Sequence, residues 1–166
     1  MLALLLLAAL QTAPAVANPV PPPDPLAPLS AYNGSWTIIS RHTLAGTGKP
    51  DLLVNHCTHH IAFFTCEQVV NGKPLALMVF VPTDKPNQFH TQPIFPNGQA
   101  VGRGDLTLDG PHWTFSSKDV EPGKTTWYRT ENFFKGPNAI HFDQFESSDG
   151  TTWTKTSEGD ETRNPA

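Results

Sequence analysis

The sequence predicts an antiparallel all-β fold on three observations. The first is a set of hairpin-turn dipeptides between β-rich segments, namely Asn71-Gly72, Asn97-Gly98, Asp109-Gly110 and Asp149-Gly150, which tolerate the positive φ angles of two-residue hairpin turns. The second is that Pro and Gly recur too often after residue 29 to allow a helix longer than about two turns. The third is that the links are hairpin-short, which favours an up-and-down barrel over the alternative, a β-sandwich.

Residues 1–17 predict a cleavable signal peptide. Leu2–Leu10 is an almost unbroken apolar run, and Ala15-Val16-Ala17 has the small-x-small pattern of a cleavage site. The run is too short to span a bilayer, which needs about 20 apolar residues. We therefore expect a mature chain that begins near Asn18, has no membrane span and is periplasmic or secreted.

Residues 18–28 form a proline-rich segment ahead of the domain. Seven prolines fall between Pro14 and Pro28. Each proline fixes its own φ angle and biases the preceding residue toward extended conformations. The segment is therefore expected to be a stiff, solvated polyproline-II tether, followed by a single domain over residues 29–163.

Segments that are rich in β-branched and aromatic residues predict a meander of about ten strands. A short helix over Pro28–Tyr32 is the one helical segment that the pattern allows. Neither face of the eighth predicted strand, Thr125–Phe134, is purely apolar. This composition fits a barrel with a partly polar lumen and also an edge strand of a sandwich. The predicted strands are Trp36–Leu44, Leu52–Cys57, Ile61–Val70, Leu75–Val81, Gln88–Phe95, Gln99–Leu108, Trp113–Ser117, Thr125–Phe134, Ala139–Glu146 and Thr151–Ser157.

The two cysteines, Cys57 and Cys66, allow a single intrachain disulfide. A tight turn at Thr58–His60 would leave Cys66 several residues up the ladder from Cys57, beyond the reach of a disulfide. A looser loop would bring the two cysteines opposite each other. We favour the disulfide because free thiols are poorly tolerated outside the cytoplasm.

The charge balance excludes two classes of partner. Charged residues make up 16% of the chain, and the net charge is −4 at pH 7. Binding to nucleic acid or to an anionic membrane surface needs a basic stripe, which this composition does not supply. We expect neither partner, and we expect the domain to be a monomer.

Asn33-Gly34-Ser35-Trp36 and Ser148–Trp153 lie near the two ends of the predicted domain. The first resembles the Gly-x-Trp opening of lipocalin-type barrels, the calycins, and the second is similar to the last hairpin of bacterial lipocalin-like domains of unknown function. The resemblance implies a barrel floor capped by Trp36 against a basic residue from a late strand, either Arg129 or Arg163. The Arg-x-Tyr carboxylate clamp of fatty-acid-binding relatives is missing, which argues against a fatty-acid ligand.

His56–His60 is the most tempting metal-site candidate, because imidazole and thiolate are good ligands for zinc and copper. However, His59 and His60 are adjacent and would point apart on a strand, and the spacing matches no zinc motif. A disulfide would also withdraw Cys57 from metal ligation. We therefore predict no metal and no other cofactor.

Four side chains on the predicted strands are candidate ligand-binding residues: Trp36, Trp127, Arg129 and His141. With the mixed strand faces, they predict a mouth or lumen that binds a small, partly apolar molecule. A solid barrel would instead make the protein a structural or interaction component of the cell envelope. An enzyme on this scaffold would use Arg129, His141 or Asp143, but no catalytic motif is present and no catalytic residue is assigned.

Overall fold

The computed structural model of the protein describes residues 23–43 and 49–165. The predicted signal peptide, the tether up to residue 22 and the predicted end of the first strand at Leu44 lie outside the described residues. Within the described part, a short 3-10 helix η1 (Ala27–Tyr32) precedes ten strands: β1 (Gly34–His42), β2 (Asp51–His59), β3 (Phe64–Val70), β4 (Lys73–Pro82), β5 (Gln88–Ile94), β6 (Gly104–Asp109), β7 (His112–Glu121), β8 (Lys124–Gly136), β9 (Ala139–Ser147) and β10 (Thr154–Arg163).

These strands form a closed antiparallel barrel. Each strand pairs with its neighbours in the chain, and β10 closes the ring against β1, with Trp36 opposite Arg163 and Ile38 opposite Glu161. The predicted up-and-down barrel is therefore confirmed, and the alternative of a β-sandwich is wrong. The Asn71-Gly72 turn has the expected geometry, with φ angles of 49° and 77° at its two residues.

The last strand differs from its prediction over Thr151–Ser157. Ser147 and Asp149 hold a loop that is longer than a two-residue turn, because the Asp149 carboxylate accepts hydrogen bonds at 2.7 Å from both the Thr151 and the Thr152 amide. These bonds hold the pKa of Asp149 below its usual range. The strand consequently begins at Thr154 and continues to Arg163.

The packed region begins before the predicted boundary at residue 29. Leu26 and Leu29 are fully buried beneath the barrel. The Asp24 carboxylate accepts a hydrogen bond from the Leu26 amide, and Pro28 lies in the first turn of η1, where its fixed φ angle suits a helical start. The last residues of the predicted tether are therefore part of the folded domain.

The disulfide between Cys57 and Cys66 is confirmed. Strand β2 extends to His59, and β3 begins at Phe64 rather than at the predicted Ile61. This is the looser of the two loops considered, and it places the cysteines directly opposite each other in the β2–β3 ladder.

We expect the double substitution of Cys57 and Cys66 by Ala to lower the free energy of unfolding by about 2 to 3 kcal/mol. The bond closes a short loop, with nine residues of sequence separation, and loop closure in the unfolded chain sets this magnitude. Urea denaturation followed by tryptophan fluorescence measures the change. Reductant should shift the wild-type midpoint but leave that of the variant unchanged, and equal midpoints for the variant and the oxidised wild type would contradict the expectation.

Candidate functional site

The interior of the barrel contains a cavity of about 640 Å³. Side chains alternate along each strand, so that one face lines the lumen and the other faces outward. The volume lies in the range of small-molecule sites. Acidic and basic side chains near the ends of their strands line the outer end of the cavity, namely His42, Asp51, Lys118 and Asp119. Apolar side chains form much of its wall, namely Ile38, Leu53, Val70, Met78, Phe80, Phe115 and Phe142.

Trp36 closes the other end of the barrel together with η1, and we call this closure the plug. Its ring is completely buried, and its Nε1 donates a hydrogen bond of 2.9 Å to the Tyr32 carbonyl oxygen. The Arg163 guanidinium carbon lies 4.2 Å from the centroid of the Trp36 ring. The guanidinium also donates hydrogen bonds to the backbone carbonyls of Ala31, Asn33 and Pro137. Of the two basic residues that the family resemblance suggested, Arg163 and not Arg129 is the partner of this tryptophan.

Four buried polar residues lie between this plug and the cavity, and all four line it: Tyr32, Asn55, Asn132 and Glu161. We call this group the polar floor. The Tyr32 hydroxyl donates to Glu161 Oε2 at 2.5 Å, and Asn132 Nδ2 donates to Glu161 Oε1 at 3.0 Å. Asn55 Nδ2 donates to the Tyr32 hydroxyl oxygen at 3.1 Å. The floor therefore converges on a single carboxylate.

The orientations of the Asn55 and Asn132 side-chain amides follow from which of the neighbouring groups has a hydrogen atom to donate. Tyr32 has one hydroxyl hydrogen and gives it to Glu161, so its oxygen can only accept from Asn55. An ionised Glu161 has no hydrogen to give, so Asn132 must turn its NH₂ group toward it. The buried Oδ1 atoms of Asn55 and Asn132 consequently accept no hydrogen bond from any described residue.

Burial raises the pKa of Glu161 to about 7, and the hydrogen bonds from Tyr32 and Asn132 act in the opposite direction. Burial and the neighbouring carboxylate likewise raise the pKa of the Tyr32 hydroxyl. The charge of the floor therefore changes near neutral pH, while the tyrosine stays protonated.

Three of the four predicted binding residues lie on the outer face of the barrel. Their neighbours Tyr128, Thr130 and Phe142 line the cavity, so alternation turns Trp127, Arg129 and His141 away from it. The sequence left open which face of the eighth predicted strand turns inward, since both faces mix polar and apolar residues. Trp36, the fourth residue, lies beneath the polar floor and belongs to the plug.

The outward residues have partners of their own. Arg129 lies over the rings of Phe145 and Trp153, with centroid distances of 4.9 and 4.4 Å, and its Nε is 3.0 Å from Glu131 Oε1. His141 lies between two carboxylates, 3.0 Å from Asp160 and 3.4 Å from Asp143. The residues considered for catalysis, Arg129, His141 and Asp143, are therefore joined to ion pairs on the outer wall and not gathered in the cavity.

Sequence reasoning missed the polar floor. Its prediction ended the last strand at Ser157, which left Glu161 outside the sheet. In the structure burial alternates through Ser157, Gly159 and Glu161. None of these three residues has a large apolar side chain, so the sequence offered no hydrophobic alternation that would have extended the strand to Glu161.

The described residues contain no group of three or more His, Cys, Asp or Glu side chains arranged to hold a metal ion. Of the histidine-rich segment, His56 is exposed on β2, His59 lies 3.2 Å from Asp24, and Cys57 is bonded to Cys66. None of the helices in the described part of the chain has the length and apolarity needed to cross a membrane.

The chain is similar in structure to several solved proteins, among them Rv2717c and a phycobiliprotein lyase. Rv2717c from M. tuberculosis is 17% identical with a TM-score of 0.58, and the match covers 85% of this chain and 98% of that protein. The S-type phycobiliprotein lyase CPES from Guillardia theta is 11% identical with a TM-score of 0.51, and the match covers 84% and 92% of the two chains. No protein-family model and no curated protein matches the sequence. Together with the strand order, these likenesses establish a lipocalin-like barrel fold.

Proposed function

We propose that this barrel binds a small, partly apolar molecule in its lumen. The observation that carries the proposal is the cavity of about 640 Å³. It has an apolar wall and ends on hydrogen-bonding groups at the floor, which is the usual composition of a small-molecule site. A cavity of this size is also the feature that disfavours a solid structural barrel. The binding residues are the lumen-facing side chains, and Trp36 acts as their support from below.

We further propose that the protein works outside the cytoplasm. The Cys57–Cys66 disulfide supports this proposal, because such bonds persist mainly in oxidising compartments. The apolar run Leu2–Leu10 with its Ala15-Val16-Ala17 site supports export as well.

A larger side chain in the lumen should weaken binding. Leu53 lines the cavity, whereas its neighbour Leu52 is 50% exposed on the outer face of the same strand. We expect Leu53→Trp to weaken the binding of the neutral fluorescent probe N-phenyl-1-naphthylamine by about tenfold or more, because the indole occupies the space of the probe. Fluorescence titration measures this affinity.

The matched control is Leu52→Trp, which adds the same indole to the outside and should bind the probe like the wild type. Circular dichroism and thermal unfolding establish that both variants are folded. Equal affinity for Leu53→Trp and Leu52→Trp would mean that the probe does not bind in the lumen. No probe binding to the wild type would argue for a solid barrel.

A further inference from the structure

The polar floor has more unused acceptors than unused donors. A carboxylate accepts about four hydrogen bonds, and Glu161 receives two, from Tyr32 and Asn132. The Oδ1 atoms of Asn55 and Asn132 receive none from the described residues. The unused donors are fewer, because each of these two asparagine amides has only one N–H left to donate. Buried acceptors without donors cost about 1–3 kcal/mol each, so an occupant that donates hydrogen bonds is favoured.

When Glu161 is ionised, the floor also carries a negative charge without a neighbouring cation. Among the described residues, no Lys, Arg or His forms an ion pair with Glu161, whose cross-strand neighbours are the apolar Ile38 and Ile140. The other acidic and basic side chains that line the cavity lie at its outer end, namely His42, Asp51, Lys118 and Asp119. A buried carboxylate without a cation is strongly disfavoured, in keeping with the raised pKa of Glu161.

We propose that the lumen ligand is a small amphipathic amine, whose ammonium group binds Glu161 at the polar floor and whose apolar body lies along the cavity wall. This inference rests on the proposed function and specifies its ligand class. An ammonium group has three donors and neutralises the carboxylate. A hydroxyl group supplies one donor and no charge, and a carboxylate head would add a second anion to a buried site.

Three probes that share one apolar body test the head group: octylamine, 1-octanol and octanoate, each used to displace N-phenyl-1-naphthylamine at pH 8. We expect octylamine to bind about tenfold to a hundredfold more tightly than 1-octanol, which is the range for hydrogen bonds to a charged group. Octanoate should bind most weakly. Equal affinities for octylamine and 1-octanol would overturn the amine proposal but leave lumen binding intact. Failure of every probe to bind would instead refute lumen binding itself.

The variant Glu161→Gln tests whether Glu161 causes the preference for octylamine over 1-octanol. Glu161→Gln removes the charge but keeps the side-chain length, and should lower the affinity for octylamine to about the affinity that the same variant has for 1-octanol. Glu158→Gln removes the same charge from the outer face of β10, where Glu158 pairs with Lys155, and should retain the preference. A preference that survives in Glu161→Gln would overturn the proposal.

A measurement on the wild type keeps the test independent of the variant's folding. Octylamine remains cationic between pH 5 and 8, so protonation of Glu161 should reduce its advantage over 1-octanol below pH 7. A constant advantage across this range would show that the carboxylate does not recognise the head group.

Discussion

Substitution of Trp36 by Ala is expected to lower the free energy of unfolding by about 3 to 5 kcal/mol, the usual cost of removing a fully buried large aromatic ring. The ring packs against Tyr32, with centroids 5.3 Å apart, and lies edge-on to Phe134. The variant also removes the hydrogen bond to the Tyr32 carbonyl and leaves the Arg163 guanidinium without its aromatic partner. Chemical denaturation followed by circular dichroism measures the change.

The control for this prediction is Trp127→Ala. Trp127 is half-buried on the outer face of β8, against Gly150, so the same truncation opens no internal cavity and should cost clearly less. Trp36→Phe should cost less than Trp36→Ala, because it keeps a six-membered aromatic ring in the plug and removes the five-membered ring of the indole together with its N–H donor. A loss below about 1 kcal/mol for Trp36→Ala would mean that this end of the barrel is not a packed plug.

The sequence was sufficient to predict the barrel because its turns and short links are local signals. Asn71-Gly72 indicates a hairpin whatever lies elsewhere in the chain, and the eight further β-rich segments with short links between them leave few topologies. The plug was also predictable, since the Gly-x-Trp opening implied both Trp36 and the two candidates for its basic partner. The choice of Arg163 required the register of β10 against β1.

The site was less predictable because it depends on parity and on long-range register. A shift of one residue exchanges the two faces of a strand, and the mixed composition of β8 did not fix which face turns inward. The polar floor joins η1, β2, β8 and β10, and Tyr32 and Glu161 are separated by 129 residues in the chain. No local sequence pattern indicates that these residues lie together, so the polar floor could be identified only from the structure of the closed barrel.

The stability of the protein is expected to fall by about 3 kcal/mol as the pH rises from about 4.5 to about 7, through Glu161 alone. Its pKa is about 7 in the folded protein, against an ordinary value of 4.5. Below 4.5 the carboxyl is protonated in both states and contributes nothing. Between the two values the unfolded chain loses the proton that the folded chain retains, so the unfolded state binds fewer protons and is favoured increasingly as the pH rises. Above pH 7 the penalty is constant.

Carboxylates on the surface affect the stability of the protein in a different pH range. Hydrogen bonds hold the pKa values of Asp51, Asp149 and Asp160 below the ordinary 3.8. Their stabilising contribution is therefore present above 3.8 and is lost only as the pH falls further, which leaves the interval from 4.5 to 7 free of their titration.

The variant Glu161→Gln isolates the contribution of Glu161 to the pH dependence of stability. The new amide can accept from Tyr32 through its oxygen and donate through its NH₂ group to Asn132 once that amide turns, so the floor remains paired without a charge. Urea denaturation at pH 4.5 and pH 8 should show similar stabilities for variant and wild type at the lower pH and a more stable variant at the higher one. Glu158→Gln should keep the wild-type slope. Identical slopes for Glu161→Gln and the wild type would mean that the Glu161 carboxylate reaches water in the folded protein, which would also remove the charge argument for an amine ligand.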